Sequence, residues 1–520
     1  MTNTARQNED PDRLRAKLAT SLSFSDDVRF FRLIWALNAL QTGRVEEARP
    51  FLASYPQEAA TEGIIGKHAI YPWELETLAN ELLTTPKHAY YRFFDYSSWN
   101  AISETVNLVR ELSGAEYTAN PDKPHILVEM GRIGARQFPW QRGFFGIPQI
   151  YRNTFIYGQG ECANYLNENF QLTAFDMTLV GFALTSVFYA SPAIHPADDL
   201  HLIHEFGIDA DTLARAIARI SCPLSDLRYD ATQLRNTDAE IAYKPSIFRQ
   251  YPCVHVGHRN RTMIAPLPDL IMDRVTNGLF YDVIGGGGAV REEIGQRFEE
   301  YSLTLLRGML TDATFEPEVT YSTQLGPVAT PDIRVLADDG TVQLVIECKA
   351  SRMSVNARFG EAPEEDRGYE EIAKGVMQLW RFFAHCGKEN GPNRLVDNPQ
   401  GMILTLDEWF AGRATVIPEI MERAGELADG SAHPISLEDR RSVAFCTVSE
   451  LESVLKTATI ASLLETVEIG SGDRAGWIFS TLHREAKAEK TEQKEYPFEQ
   501  ALGELLPWYA LLGELRDDEN

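Results

Sequence analysis

The sequence is short of positive charge. Its 49 lysines and arginines face 75 aspartates and glutamates, which gives a formal net charge of −26 over 520 residues. An excess of this size favours solubility and repels polyanions at long range. A nucleic-acid-binding function would therefore need local basic surface or bound metal cations to overcome that repulsion.

Cysteine and long apolar runs are scarce as well. The six cysteines include no C-x-x-C pair, and the polar start "MTNTARQNEDPDRLRAK" does not resemble a signal peptide, so we expect a protein of the reducing cytoplasm. The longest apolar stretch, "FDMTLVGFALTSVFYASPAI" at 175–194, contains Asp176 and several hydroxyl residues. This composition predicts a buried helix and no membrane association.

Several common catalytic motifs are also missing from the sequence. There is no nucleophile elbow and no Ser-His-Asp spacing, and the four glycines at 285–288 are not followed by Lys-Ser/Thr. We therefore interpret the glycines as a domain boundary or flexible joint rather than as a phosphate-binding loop. A sugar- or nucleotide-processing enzyme in the first half of the chain has no motif to support it.

The chain length and pattern predict three regions. Residues 1–284 are expected to form a large, mostly helical domain for recognition or regulation, which includes a helix in "DDVRFFRLIWALNALQTG" and a strand at "HILVEMG" (125–131). Residues 285–465 form an α/β domain, and residues 466–520 a charged linker with a final helix. "SVAFCTVSELESVL" is expected to be a strand that enters a helix capped by Ser449, with Glu452 three residues on.

The α/β domain begins with an amphipathic helix, "AVREEIGQRFEEYSLTLLRGML", in which Ile294, Phe298, Tyr301, Leu305 and Met309 share one stripe. Strands are predicted at "TFEPEVTYS", "PDIRVLA" and "TVQLVIECKA", the last two joined by a hairpin turn at "DDG". Alternating helices and strands follow, with a helix at "YEEIAKGVMQLWRFFAHCG" and a strand at "GMILTLDEWF". The pattern indicates a mixed sheet flanked by helices.

Three charged residues lie inside the apolar runs of that hairpin. Asp332 begins one strand, and Glu347 and Lys349 lie two residues apart near the end of its partner, on one face. Two carboxylates that converge at a strand end form a hard oxygen site suited to Mg²⁺ or Mn²⁺, with the backbone carbonyl of Cys348 as a further ligand. Lys349 could then orient a water molecule or neutralise charge that develops on a phosphate.

Pro331-Asp332 followed by Glu347-Cys348-Lys349 resembles the signature of the PD-(D/E)xK nuclease superfamily, and the order of helices and strands over about 289–460 resembles its restriction-endonuclease-like core. The resemblance implies that Glu299, with Glu300 as second choice, supports the metal from the preceding helix. It also implies a functional glutamine in the following helix, which matches Gln378. The catalytic set is then Asp332, Glu347, Lys349 and Gln378, and the metal set Glu299, Asp332, Glu347 and Cys348.

These features predict a Mg²⁺-dependent nuclease that hydrolyses phosphodiester bonds, with DNA as the expected substrate. By analogy, a nuclease behind a large extra domain resembles bacterial anti-phage defence effectors. The alternative is a catalytically silent nuclease-like module that serves as a nucleic-acid-binding or scaffolding subunit of a multi-protein assembly. A protein partner or a homo-oligomer is a further expectation. A structural alternative treats Asp332 and Lys349 as a surface salt bridge on an edge hairpin, which would contribute about 0–1 kcal/mol.

Two stretches nearly free of acids are candidate nucleic-acid surfaces. From Lys123 to Tyr157 the only acid is Glu129, and from Ile241 to Pro268 there is none. Their basic side chains could bind phosphates and their aromatic side chains could stack on bases. The basic residues are Lys123, Arg132, Arg136, Arg142, Arg152, Lys244, Arg249, Arg259 and Arg261, and the aromatic ones are Phe138, Trp140, Phe144, Phe145 and Tyr151. The competing interpretation pairs the arginines with acids elsewhere in the chain.

Two smaller groups of residues concern metal binding and helix capping. Cys253, His255 and His258 are residue types that zinc accepts, but no fourth ligand lies nearby and the alternation around them favours a strand with a core cysteine. His385 lies late in a predicted helix, where a capping charge is the expected role. Trp380, Phe382 and Phe383 are expected in the core.

Overall fold

The structure is a computed structural model that describes residues 10–52, 54–60, 65–88, 94–121, 124–386, 391–410, 416–486 and 493–509. The chain forms two compact units. Unit 1 comprises Met1–Lys123, Pro139–Gly146 and Ala163–Gly285, and unit 2 comprises Pro124–Phe138, Ile147–Cys162 and Gly286–Asn520. The division after Gly285 falls within the four glycines. Unit 2 also takes in residues 124–138, 147–162 and 466–520, which the sequence analysis had placed in other regions.

The first half of the chain is mostly helical. Its α-helices are α1 (Pro11–Ser23), α2 (Asp27–Gln41), α3 (Val45–Ala48), α4 (Pro72–Thr84), α5 (Trp99–Ala119), α6 (Ile126–Arg142), α7 (Ile147–Tyr157), α8 (Gly160–Phe170), α9 (Ala174–Ala190), α10 (Pro196–Asp199), α11 (Ala210–Ile220), α12 (Leu224–Leu234), α13 (Asp269–Val275) and α14 (Leu279–Val283). The predicted helix "DDVRFFRLIWALNALQTG" is confirmed as α2.

Helix α2 begins where a side chain satisfies the free amides of its first turn. The carboxylate of Asp26 accepts a hydrogen bond from the backbone N–H of Arg29 at 2.9 Å. Trp35 is fully buried in unit 1 and donates its indole N–H to the carbonyl of Phe188 in α9 at 2.6 Å. Most of the apolar stretch at 175–194 is therefore the largely buried helix α9, as predicted, and its last two residues form a short strand.

No single helix among the described residues is both long and apolar enough to cross a membrane. Helices α8 and α9 meet the length and composition criteria only when taken together, and the chain bends by 71° between them.

Unit 1 also contains a small four-stranded sheet. Its strands are β1 (Ala193–Ile194), β2 (Ser221–Pro223), β3 (Cys253–Val256) and β4 (Thr262–Ile264), in the order β1-β4-β3-β2. Strands β2 and β3 are parallel, and the other pairs are antiparallel. The strand predicted at "YPCVHVGHRN" is thus β3.

The prediction of a strand at "HILVEMG" is wrong, because these residues form the first turns of α6. A short apolar run does not by itself distinguish a strand from a helix. Glu129 and Arg132 form a buried ion pair at 2.9 Å, three residues apart, and only helical spacing brings such side chains together on one face. The apolar side chains of Ile126 and Met130 are more than half exposed.

Unit 2 is built around a mixed five-stranded sheet with the order β11-β10-β9-β8-β5. Strand β9 is antiparallel to β8 and parallel to β10, so it lies inside the sheet. The strands are β5 (Thr314–Pro317), β6 (Thr320–Thr323), β7 (Gly326–Ala329), β8 (Ile333–Leu336), β9 (Val342–Lys349), β10 (Leu395–Thr405) and β11 (Val443–Thr447), and the helices are α15 (Gly287–Met309), α16 (Val355–Phe359), α17 (Arg367–Cys386), α18 (Val416–Asp429), α19 (Val448–Leu455), α20 (Ile460–Gly470), α21 (Phe479–Ala486) and α22 (Glu499–Leu505).

One predicted strand is divided in two. "TFEPEVTYS" forms β5, which belongs to the main sheet, and β6, which pairs with β7 as a separate two-stranded ribbon. The base of the ribbon is closed by Val319 and Thr330: the N–H of Thr330 donates to the Val319 carbonyl at 2.9 Å, and the Val319 N–H donates to the Thr330 hydroxyl at 3.0 Å. Glu318 and Asp332 therefore flank this base.

Helices pack on the sheet as their apolar patterns predict. The stripe of Ile294, Phe298, Tyr301, Leu305 and Met309 on α15 is buried. Apolar side chains of α17 and α18 form one cluster with side chains of β9, β10 and β11. The chain is thus a mixed α/β protein with a mostly helical first half, as expected.

The predicted cap of the helix after β11 is displaced by two residues. Thr447, the last residue of β11, caps α19, and Glu450 completes the capping box. Glu452 instead lies buried, where it pairs with Arg152 and accepts a hydrogen bond from the hydroxyl of Tyr301 at 2.6 Å. The predicted C-terminal helix corresponds in part to α22, and residues 510–520 lie outside the described residues.

Candidate active site

The β8–β9 hairpin aligns the two predicted acids. Ile333 pairs with Ile346 in an antiparallel register, and one further step places Asp332 opposite Glu347. The connecting turn contains Gly340 at φ 78°, a conformation that glycine adopts readily, and the Asp339 carboxylate accepts the N–H of Thr341 at 2.9 Å. The turn thus fixes the register on which the convergence of the acids depends.

Asp332 and Glu347 are buried, with 8% and 3% of their surfaces exposed. Asp332 Oδ2 accepts a hydrogen bond from the backbone N–H of Cys348 at 2.6 Å. Since β9 is an inner strand and both acids are buried, the interpretation of this hairpin as an edge element with a surface salt bridge is wrong.

Lys349 lies beside Glu347 on the same face of β9. Its ammonium group donates to Glu347 Oε1 at 2.8 Å and to Gln378 Oε1 at 3.0 Å, so the ion pair is with Glu347 rather than with Asp332. Burial opposes the charge on Lys349, but the carboxylates of Glu347 and Asp332 outweigh that effect and raise its pKa. The ammonium group therefore stays protonated at neutral pH and is oriented by two partners.

A glycine in α17 allows the helix to approach these side chains. A Cβ atom at Gly375 would lie 2.7 Å from Lys349 Cε, 3.2 Å from Ile403 Cδ1 and 3.3 Å from Glu347 Cγ. Gly375 and Gln378 are one helical turn apart, so the same face of α17 makes room for Lys349 and binds its ammonium group.

Glu299 on α15 is the third acid that the resemblance implied. Burial, together with the charges of Glu318 and Glu347, raises its pKa to about 7, and Lys349 partly opposes this shift. Glu299 is therefore close enough to the hairpin for its charge to interact with the other acids. The second choice, Glu300, is exposed and pairs with Arg297 at 3.3 Å.

Glu318 is an acid of this site that the sequence analysis missed. It lies at the base of the ribbon, and its charge raises the pKa of both Glu299 and Glu347. The signal that could have found it is the end of β5, since "TFEPE" was treated as part of one longer strand. The division of that strand places Glu318, which is exposed, in the link between β5 and β6.

The crowding of acids produces strong mutual repulsion. Burial raises the pKa of Asp332 well above its usual range, and the charges of Glu347 and Glu299 raise it further. Burial also raises the pKa of Glu347, although Lys349 counteracts it. A divalent cation would relieve this repulsion, and carboxylate oxygens are the donors that Mg²⁺ and Mn²⁺ prefer. The residues therefore fit such a cation in charge and donor type.

The positions of the possible metal ligands are a separate question from their charge and donor type. Among the described residues, no three or more His, Cys, Asp or Glu side chains are grouped so that they could hold a metal ion. The thiol of Cys348 is buried, and burial with the nearby charge of Asp332 raises its pKa well above the usual range. Any contribution of Cys348 to a metal would thus come from its backbone carbonyl, and this stays a prediction.

Several basic residues of the two acid-poor stretches lie in ion pairs. Arg132 pairs with Glu129, Arg152 with Glu452, and Arg249 with Glu76 at 2.7 Å. The aromatic side chains have intramolecular partners too: Tyr151 stacks on Phe498, and Phe144 lies under the guanidinium of Arg249. The interpretation that pairs arginines with acids is thus favoured for these three residues.

Other members of these stretches face the solvent. Arg142, Arg259 and Arg261 are exposed, the last two in the turn between β3 and β4. Lys123 lies outside the described residues. Nucleic-acid binding by the exposed members stays a prediction.

The histidines take structural positions. Both ring nitrogens of His255 are engaged, by the Ser221 hydroxyl at 2.9 Å and by the Asn260 carbonyl at 3.1 Å, and Cys253 is buried in β3. His385 lies in the last turn of α17, is buried, and its Nδ1 lies 2.7 Å from the hydroxyl of Tyr321 in β6; the role of a capping charge stays a prediction.

The core positions predicted for three aromatic residues of the α/β domain are confirmed. Trp380, Phe382 and Phe383 are buried in the cluster between α17 and the sheet. They leave one face of α17 for the polar residues that contact β9.

No protein-family model, no curated protein and no solved structure matches this chain.

Proposed function

We propose that the protein is a divalent-metal-dependent nuclease of PD-(D/E)xK type, with its active site in unit 2 and DNA as its substrate. The observation that carries the proposal is that the β8–β9 register sets Asp332 opposite Glu347, with the Lys349 ammonium group hydrogen-bonded to Glu347. The charge of Glu299 interacts with both acids. Burying several carboxylates together is costly unless cations compensate them, which is why such clusters are typical of functional sites.

The arrangement of strands and helices supports the same proposal. Helix α15 supplies Glu299, the antiparallel pair β8–β9 supplies Asp332, Glu347 and Lys349, and α17 supplies Gln378 before β10 returns parallel to β9. This order resembles the restriction-endonuclease-like core.

Each side chain has a role that follows from its contacts. Asp332 and Glu347 would hold the cation, with Glu299 as a further carboxylate. When bound, a divalent cation polarises the phosphodiester and lowers the pKa of a water molecule. Lys349 orients the attacking water and stabilises negative charge that develops on the phosphate. Gln378 accepts a hydrogen bond from Lys349 and so keeps the ammonium group in position.

The biological setting is proposed by analogy alone. A nuclease attached to a large second unit resembles bacterial anti-phage effectors, in which the extra unit controls or directs cleavage. The net charge of −26 is consistent with weak basal binding of nucleic acid, which a regulated nuclease requires.

Cleavage assays with the purified full chain test the proposal. Supercoiled plasmid, single-stranded DNA and RNA are each incubated with Mg²⁺, Mn²⁺ or EDTA. We expect cleavage with either metal and none with EDTA, and a loss of about 100-fold or more in Lys349→Ala. Absence of cleavage with every cation, or unchanged cleavage by that variant, refutes the proposal.

A matched control separates the loss of Lys349 from the general loss of a lysine. Lys374 lies one turn before Gln378 on α17 and pairs with Glu370 and Glu371 at the surface. Lys374→Ala is expected to cleave at the wild-type rate.

The second candidate is a module that binds nucleic acid or a protein partner without cutting. The closed Glu347–Lys349 ion pair favours it, because one potential ligand oxygen is already engaged. The same cleavage assays distinguish the two candidates, since a silent module binds without producing fragments.

A further inference from the structure

Arg381 lies on the face of α17 that contacts the candidate active site. Gly375, Gln378 and His385 mark this face through their contacts with Lys349 and Tyr321. Arg381 is three residues after Gln378 and four before His385, so it lies between them on the same stripe of the helix.

Arg381 lacks the acidic partner that the buried arginines of unit 2 have. Arg132, Arg152 and Arg334 each form an ion pair with a glutamate. Among the described residues, the half-buried Arg381 makes no ion pair; its Nε atom is buried without a hydrogen-bond partner, as are those of Arg152 and Arg334. The feature that distinguishes Arg381 is therefore the missing acidic partner, and a guanidinium without a counter-charge favours a bound anion from outside the chain.

The surroundings of Arg381 connect it to both the acids and the ribbon. Its positive charge lowers the pKa of Glu347, against the raising effect of burial, and it likewise lowers the pKa of Tyr321 in β6. It is therefore near both side chains without bonding to either. An anion at its guanidinium would lie between the metal-binding acids and the ribbon.

We propose that Arg381 binds a phosphate of the substrate strand next to the phosphate that is cut. A guanidinium group binds phosphate through two parallel hydrogen bonds, which fixes direction as well as position. This role rests on the proposed function, because it positions a strand across that site. It also supplies the local positive charge that a chain with a net charge of −26 needs for this substrate.

The competing explanation is that Arg381 only offsets the charge of Glu347. A purely electrostatic role of this kind would change catalysis or stability, but it would not change the number of phosphates that are neutralised on binding. The salt dependence of affinity measures that number, since each neutralised phosphate contributes about −0.9 to the slope of log K against log salt for duplex DNA and about −0.7 for single strands.

The test measures binding without cleavage. Full-length protein is titrated into fluorescent duplex and single-stranded DNA with Ca²⁺ in place of Mg²⁺, from 50 to 200 mM salt. We expect Arg381→Ala to weaken binding roughly tenfold or more and to reduce the salt slope by about one contact. Arg381→Lys, which keeps the charge but not the two parallel bonds, is expected to retain the slope with intermediate affinity.

Controls establish that any effect belongs to this position. Arg367 is exposed at the start of α17, about 20 Å along the helix from Arg381, and Arg367→Ala is expected to leave both affinity and slope unchanged. Thermal denaturation of each variant shows whether it is folded under the conditions of the titration. If Arg381→Ala does not fold, the comparison of Arg381→Lys with wild type decides through affinity.

The outcomes separate this inference from the proposed function. A wild type that cleaves, with Arg381→Ala equal to it in affinity and slope, overturns the role of Arg381 alone. If wild type binds DNA with a salt slope that depends on Arg381 but never cleaves it, the nuclease proposal is refuted and the phosphate contact of Arg381 is retained. Absence of any binding overturns both.

Discussion

Gly375→Ala is the substitution that most clearly separates activity from stability. The added methyl group would lie 2.7 Å from Lys349 Cε, closer than nonbonded carbon atoms can approach. The contact is with the outer part of a flexible side chain, which can move aside. We therefore expect the ammonium group to leave its position between Glu347 and Gln378 while α17 stays in place.

The expected magnitudes differ greatly for the two properties. Replacing glycine by alanine inside a helix stabilises it by about 1 kcal/mol, and overpacking costs about 1–3 kcal/mol. The net change in the free energy of unfolding is therefore expected to be within about 1–2 kcal/mol. Displacing a catalytic group by about 1 Å can lower the rate roughly 100-fold.

Plasmid cleavage rates and urea denaturation measure the two properties on the same samples. The control is Gly295→Ala in α15, where an added Cβ meets nothing within 4 Å, so this variant should be slightly more stable and fully active. Full activity in Gly375→Ala would refute the assignment of Lys349. If Gly375→Ala lowers the free energy of unfolding by several kcal/mol, the backbone of α17 moves and not the lysine side chain.

Three further predictions concern acids and ion pairs. Asp332→Asn should raise the free energy of unfolding of the metal-free protein by about 1–3 kcal/mol, because burial and Glu347 raise the pKa of Asp332. The same substitution should abolish the increase in Tm that Ca²⁺ gives wild type. An unchanged increase in Tm contradicts this prediction. Burial and Glu408 raise the pKa of Glu450 from 4.5 to about 7, and this group alone should cost wild type roughly 3 kcal/mol of stability as pH rises through this window. Glu450→Gln should therefore lose less stability than wild type between pH 5 and pH 8 in urea denaturation, since Glu299 still titrates in the same window. An equal loss in the two proteins argues against this assignment. Arg152→Ala removes a buried ion pair and should lower the free energy of unfolding by about 3–5 kcal/mol without changing the affinity for DNA. Weaker DNA binding at unchanged stability would instead support a nucleic-acid-binding role for Arg152.

The sequence carries much of the candidate site because its local patterns are strong. Alternating apolar residues and the "DDG" turn define β8 and β9, and the register then places Asp332 opposite Glu347. The stripe from Ile294 to Met309 defines α15 and so the position of Glu299. These are short-range patterns, in which neighbours along the chain decide the structure.

The features that the sequence did not predict depend on distant contacts. "HILVEMG" is helical because its residues continue into α6, and an apolar run of that length is compatible with either conformation. Glu318 reaches the site only because Val319 and Thr330 close a ribbon. The unpaired state of Arg381 is a property of its surroundings, and no sequence pattern reports it.

The central claim is that buried carboxylates of unit 2 bind a divalent cation used for cleavage. Crystals soaked in Mn²⁺ test it directly, because anomalous scattering locates the metal. The account predicts a peak about 2.0–2.6 Å from carboxylate oxygens of Asp332 and Glu347, which disappears when both are replaced by their amides. Cleavage supported by Mn²⁺ in a protein whose metal binds elsewhere, away from both residues, would contradict it.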